Sequence, residues 1–201
     1  MKTIDKIEII ENIRTKDELV EFVARGKKAK YLCFWGHTKN NSQQVSKTCF
    51  SQWYGSKFEI DGIVYPTAEH FMMAEKARLF ESKSAANTAL LKQIIEAPHP
   101  QKAKQLGRQI EGFTNEVWNQ HRFDAVLKGN VAKFSQSPKL AEFLLGTGKR
   151  VLVEASPADK VWGTGLAEDH DDATNPFKWK GLNLLGFALM ETRKRLSKLK
   201  E

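Results

Sequence analysis

No apolar run in this chain approaches the ~20 residues that a membrane-spanning helix needs. The first residues, Met1-Lys2-Thr3-Ile4-Asp5, lack the apolar core of a secretory signal. These absences exclude a helical membrane protein and give the expectation of a cytoplasmic protein with no membrane partner. Cysteine is scarce, with Cys33 and Cys49 alone, which suits reduced core thiols better than a disulfide framework. His37 and His70 can be imagined beside them as a four-ligand set. None of the paired spacings of zinc sites occurs, however, so no metal is expected. The stretch Trp162-Gly163-Thr164-Gly165 lacks the Gly-Lys-Ser/Thr ending of a phosphate-binding P-loop. No repeat, low-complexity tract or linker divides the sequence.

What is present is a chain of 201 residues, 41% hydrophobic, enough for one good core. The formal net charge of +8 is concentrated: residues 25–30 carry +4 and residues 193–200 carry +5, leaving −1 for the rest. Cations at a helix C-terminus are favoured by the helix dipole alone. The same two clusters, meeting on one face, would hold phosphates.

Thr15-Lys16-Asp17-Glu18 is a capping box, and Leu19, Phe22 and Val23 give the following helix an apolar stripe ending near Gly26. Residues 1–30 therefore read as a helical extension and 31–201 as the domain proper. Tyr31–Trp35 is a buried-strand candidate, followed by a polar loop from His37 to Thr48. Helical spacing marks Thr67–Phe80, Ser84–Ala97, Pro100–Gln109 and Asn115–Phe134. Ser137-Pro138 opens a short helix that Gly146 closes, Arg150–Glu154 is one more strand, and a long loop leads to a last helix over Gly181–Lys198. The fold class is mostly α: a single helix-rich α+β domain with a small β-sheet and hairpin.

The most informative stretch is Pro66-Thr67-Ala68-Glu69-His70. Upstream, Phe58–Ile60 and Ile63–Tyr65 flank Asp61-Gly62, the dipeptide best suited to a two-residue hairpin turn. Thr67 is a good N-cap, so Glu69 falls at the positive end of a helix, fixed there by the hairpin. Such a carboxylate complements the dipole and is also well placed for acid–base work. Glu69, Met73, Lys76 and Phe80 share one helical stripe, whereas Ala68, Phe71, Met72 and Leu79 make a second stripe that can bury. Two turns set Glu69 and Lys76 roughly 10 Å apart, suited to gripping two parts of an anionic substrate. Gly163 and Gly165 let backbone approach a ligand, and Trp162 offers a stacking face. Trp118, near the start of a long helix, is a second candidate aromatic wall.

Phe34-Trp35-Gly36-His37, Phe50-Ser51-Gln52-Trp53-Tyr54, the Tyr65–Phe80 segment, Trp162-Gly163-Thr164-Gly165-Leu166 and the segment from Gly181 to Met190 resemble, in order, the motifs of the NADAR or YbiA-like domain. The resemblance covers residues 31–195 and implies a single-domain YbiA-like helical fold with N-glycosidase activity. It implies two substrate groups, ADP-ribose on guanine and the phosphoribosylamino-pyrimidine intermediates of riboflavin synthesis. The family's implicated glutamate is Glu69 here, and its implicated tryptophans match Trp118 and Trp162. The family's aspartate two residues after the second tryptophan is Thr164 in this chain. Asp169, in a stretch resembling the family's Asp-His-Pro-Asp-Ala, is the candidate substitute. Asp171 stands where proline is common, and so does Gly55. The expected catalytic residues are thus Glu69 and Asp169. The expected substrate-binding residues are Lys76, Trp118, Trp162, Gly163, Thr164, Gly165, His70 and Asn183, with His70 also a candidate proton donor. No metal or organic cofactor is required, and the partner is a ribosyl or ADP-ribosyl small molecule or ADP-ribosylated nucleic acid. A non-catalytic reader of ADP-ribose or nucleotides is the alternative, and a nucleic-acid-binding protein recruited by its basic ends is a third reading.

Overall fold

The computed structural model of the protein describes residues 9–38 and 44–199. Part of the polar loop anticipated between His37 and Thr48, the first eight residues, and Lys200 of the basic C-terminal run lie outside the described residues. The helix-rich α+β class expected from the sequence is observed. The chain divides into two compact units, one running up to Ser51 and resuming at Ser137, the other covering Gln52–Gln136.

The first unit holds α1 (Lys16–Ala24), β1 (Tyr31–Phe34), α6 (Pro138–Leu145), β4 (Val151–Glu154) and α7 (Leu184–Lys198). The capping box forms as expected: Thr15 accepts from the Glu18 amide, and the Glu18 carboxylate reaches back to the Thr15 amide. α1 is tied to the rest of this unit by Lys16 Nζ, which donates to the Trp179 carbonyl at 2.6 Å. β1 and β4 pair in parallel, from Tyr31 opposite Val151 to Phe34 opposite Glu154. Val151, Leu152 and Val153 are all buried, as a strand covered on both faces requires. Helix α6 starts at Pro138 and is closed by Gly146 as expected, with a difference of detail at each cap. Ser137 makes no side-chain cap bond, and Gly146 stays right-handed at φ −63°.

The second unit holds β2 (Phe58–Ile60), β3 (Ile63–Tyr65), α2 (Ala68–Leu79), α3 (Ala85–Ile95), α4 (Pro100–Gly107) and α5 (Asn115–Ser135). Asp61 and Gly62 adopt φ of 53° and 76°, the two left-handed residues of the expected tight turn. α2 packs against α3, α4 and α5. Both of its stripes are therefore buried, Glu69, Met73 and Phe80 as well as Ala68, Phe71 and Met72. The sequence pattern singled out only the second stripe as one that can bury, because no local signal reports that a helix is surrounded. The Phe71 ring meets Tyr65 edge-on at 5.0 Å and Phe58 at 6.1 Å, tying the hairpin to α2.

Gly186 lets α7 approach β4. A Cβ there would overlap the Leu152 carbonyl oxygen and the Asn183 side chain. Gly186→Ala is expected to destabilise the fold by about 3 kcal/mol, the upper end of overpacking costs. Thermal melts should show a Tm lowered by roughly 6–12 °C for a chain of this size. An unchanged Tm would mean that the strand and helix part without cost.

Candidate active site

In the second unit, the hairpin and the Thr67 cap position Glu69 in the first turn of α2. Thr67 Oγ1 accepts from the His70 amide, and the Glu69 amide donates to the Gln52 carbonyl at 2.9 Å. The Glu69 side chain is only 2% exposed. Burying a carboxylate is costly, and Glu69 sits there among the buried Ala68, Phe71, Met72 and Met73 of the same helix.

His70 is fully buried, and both ring nitrogens are engaged. Nε2 lies 3.0 Å from the Ala97 carbonyl, which only accepts, so Nε2 carries the proton. Nδ1 then accepts from Thr67 Oγ1 at 2.7 Å. Burial lowers the His70 pKa below the usual histidine value, favouring this neutral tautomer. The ring braces the cap of α2 and has no N–H left for a leaving group. Lys76 is half-buried: Nζ donates to the Gly107 carbonyl at 2.8 Å and lies 3.9 Å from the centre of the Phe113 ring. Its pKa is lowered mainly by burial and also by Arg108, with Glu69 pulling it back up.

Trp118 is buried at the start of α5 and lines a cavity of about 400 Å³ with Glu75, Arg78, His121, Asp124 and Lys128. Neither Glu69 nor Lys76 belongs to its walls. Glu75 and Arg78 lie about 100° or more around α2 from the Glu69 stripe. Arg78 is held there by Glu75 and by the Tyr65 hydroxyl, each at 2.6 Å.

The sequence reading missed two further polar residues of this unit. Lys133 is 0% exposed, near the rings of Tyr54 and Phe134. Its helical phase with Val126, Gly129 and Asn130 was the available signal, a lysine on a buried stripe. Gln52 is also buried, and neither its Nε2 nor its Oε1 has a hydrogen-bond partner among the described residues. An orphaned buried amide calls for an explanation, and an absent ligand is one. Gln52 stands in the Phe50–Tyr54 motif, but nothing within that motif singles it out from its neighbours as a buried polar group.

In the first unit, the loop after β4 is tightly organised. Five consecutive amides, Gly181 to Leu185, donate to carbonyls of residues 160–164. The orphan donors at the start of α7 are thereby satisfied by the loop, which is why the regular helix begins at Leu184 and not at Gly181. Asn183, at φ 53°, accepts from the Glu154 amide and donates to the Leu152 carbonyl, so both ends of its side-chain amide are spent on the edge of β4. Thr164 is fully buried, its amide bonded to the Glu154 carbonyl. A Cβ on Gly163 would crowd that same carbonyl, and Gly165 needs its φ of 71°. Trp162 is half-buried, its amide held at 2.8 Å by Asp159 Oδ1. Asp169 is exposed in a turn. Among the described residues no cluster of three His, Cys, Asp or Glu could hold a metal ion, and no helix is long and apolar enough to cross a membrane.

Comparison with known proteins gives this geometry a family. The N-glycosidase R617 of Acanthamoeba polyphaga mimivirus is 41% identical over 169 residues, 82% of this chain and 95% of that protein. The N-glycosidase YbiA of Escherichia coli K12 is 30% identical over 148 residues, 74% of this chain and 81% of the relative. The chloroplastic riboflavin biosynthesis protein PYRR of Zea mays is 33% identical over 140 residues, 68% of this chain but 20% of its own length. An NMR structure of E. coli YbiA superposes with a TM-score of 0.66 at 25% identity, covering 86% of this chain and 88% of that one. A profile of the NADAR domain matches residues 33–197, and the chain belongs to that family.

Proposed function

We propose that the protein is an N-glycosidase hydrolysing the N-ribosyl bond of a phosphorylated or ADP-ribosylated nucleobase. The observation that carries the reading is the buried Glu69 carboxylate, held in the first turn of a helix that packs against α3, α4 and α5. Relatives named N-glycosidase support the reaction class. The PYRR relative supports riboflavin intermediates as one of the two substrate groups.

Breaking the bond from ribose C1′ to nitrogen builds oxocarbenium-like charge on the sugar. A carboxylate beside C1′ stabilises that charge or takes a proton from the attacking water. Glu69 is assigned this task, and its burial strengthens it by excluding competing solvent. Gln52 is assigned to hold a polar substrate atom, which would satisfy its amide. Lys76 keeps two N–H donors beyond the one given to Gly107 and is assigned to substrate phosphate. Trp118 and Trp162 are proposed to stack on ring systems, and Asp169 is proposed as the second acidic group from its place in the family motif. His70 and Asn183 act by positioning α2 and β4. The test is incubation with an ADP-ribosyl-guanine and with a phosphoribosylamino-pyrimidine, products being identified by mass. Binding of either without release of the base would replace the enzyme by a reader.

Glu69→Gln keeps shape and removes charge, so kcat should fall by about 100-fold or more while binding and Tm stay near wild type. Near-wild-type turnover would remove Glu69 from the mechanism. Gln52→Leu deletes two unsatisfied polar atoms at similar volume, and the ligand-free protein is expected to become more stable, by about 1 kcal/mol, while KM rises. A stability loss would show that the amide is satisfied in solution. Lys76→Met should raise KM about tenfold or more for a phosphorylated substrate and far less for its dephosphorylated riboside. Equal losses on both would assign Lys76 to shaping the pocket, in keeping with its bond to Gly107.

A further inference from the structure

The basic C-terminal run has a structural consequence that the reaction does not use. In the first unit, a cavity of about 500 Å³ opens between the end of α7, the turn after α6 and the segment before α1. Its cationic lining is Lys149, Arg193, Lys194 and Lys198, against one carboxylate, Glu11. Glu11 is engaged by the exposed Lys149 at 3.8 Å, and Lys194 donates to Asn12.

Arg193 differs from the other three cations. It is 5% exposed, and its Nη1 donates to Thr147 Oγ1 at 2.7 Å. That hydroxyl is itself anchored on the Leu144 carbonyl at 2.6 Å. Nη2 is buried and has no hydrogen-bond partner among the described residues. The guanidinium is thus locked by one edge while Nη2 on the other keeps unused donors, and among the described residues no carboxylate forms an ion pair with it. Burial lowers its pKa to about 10, with Glu11 raising it and Arg150 lowering it further. A buried, unpaired cation is expensive unless something of opposite charge completes it.

We propose that this cavity is a phosphate-binding site, with Arg193 receiving the phosphate, Lys149, Lys194 and Lys198 closing around it, and Ile9, Leu145 and Met190 accepting an apolar portion of the ligand. A planar guanidinium with free N–H groups is suited to a phosphate oxygen pair. The volume exceeds that of a bare phosphate and matches the range of ligand pockets, which favours a ligand of nucleotide size. A free nucleotide and the phosphate of a nucleic-acid strand share this chemistry. None of the residues assigned to hydrolysis lines the cavity.

The experiment uses the full chain and follows thermal shift and calorimetric binding with ADP, with inorganic pyrophosphate and with a single-stranded 12-mer oligonucleotide, against sodium chloride at matched ionic strength. Phosphate-bearing ligands should raise Tm where chloride does not. Lys149→Ala/Lys198→Ala alters exposed rim residues and should fold normally, yet weaken binding about tenfold. Arg193→Met should abolish the shift, and Lys76→Met should retain it, which separates this cavity from the hydrolytic site. Binding of ADP assigns a free nucleotide. Binding of the oligonucleotide alone, steeply salt-dependent and reduced in the rim variant, assigns a nucleic-acid strand. No shift beyond chloride, or a shift unchanged in the rim variant, overturns the proposal.

Discussion

The second unit depends on how the first turn of α2 is held. The helix is enclosed by α3, α4 and α5, so its early backbone donors have no access to water and need protein partners. Gln52 supplies a carbonyl to the Glu69 amide, and Thr67 supplies its hydroxyl oxygen to the His70 amide. His70 then links that hydroxyl to the Ala97 carbonyl at the end of α3. Burial favours the neutral imidazole, in which Nε2–H is given to Ala97 and Nδ1 accepts from the Thr67 hydroxyl. Each link orients the next, and the carboxylate at Glu69 is aimed by the sum of them.

The first unit solves an analogous problem at the start of α7. Asn183 substitutes for a neighbouring strand by bonding the backbone of β4 through its side chain. The amides that follow Lys180 use the carbonyls of the Trp162 loop. The glycines of that loop and of α7 are there for close approach: Gly163 beside the Glu154 carbonyl, Gly186 beside that of Leu152. The Gly163–Leu166 core of the loop is consequently buried, whereas Trp162 is half-buried and the turn around Asp169 is exposed.

The charge distribution follows from the same packing. Four of the residues in the C-terminal run are turned differently by one helix: Arg193 goes inward to Thr147, Lys194 reaches Asn12, Arg195 pairs with Glu191 at 3.2 Å, and Lys198 faces solvent. A net charge counted along the sequence treats these cations as equivalent. Desolvation makes them different: the exposed cations keep their water, whereas the buried Arg193 has an Nη2 without a hydrogen-bond partner among the described residues.

Much of the fold was legible because the signals are local. The Thr15 and Thr67 caps, the Asp61-Gly62 turn and the Pro100 and Pro138 helix starts involve partners within about four residues, where backbone geometry and side-chain chemistry decide the outcome. The family motifs likewise pointed to Glu69, Trp118 and Trp162 residue by residue. What the sequence left open was set by contacts between segments far apart in the chain. The full burial of α2, the engagement of Lys76 by Gly107, the spending of the Asn183 amide on β4 and the isolation of the Arg193 guanidinium all depend on which surfaces are removed from water. By itself the sequence determined where the capped helices α1 and α2 begin, where the hairpin turns and which carboxylate stands in the first turn of α2. Only the tertiary structure decided which polar groups lost their water, because desolvation is a property of the packed neighbourhood and not of the residue.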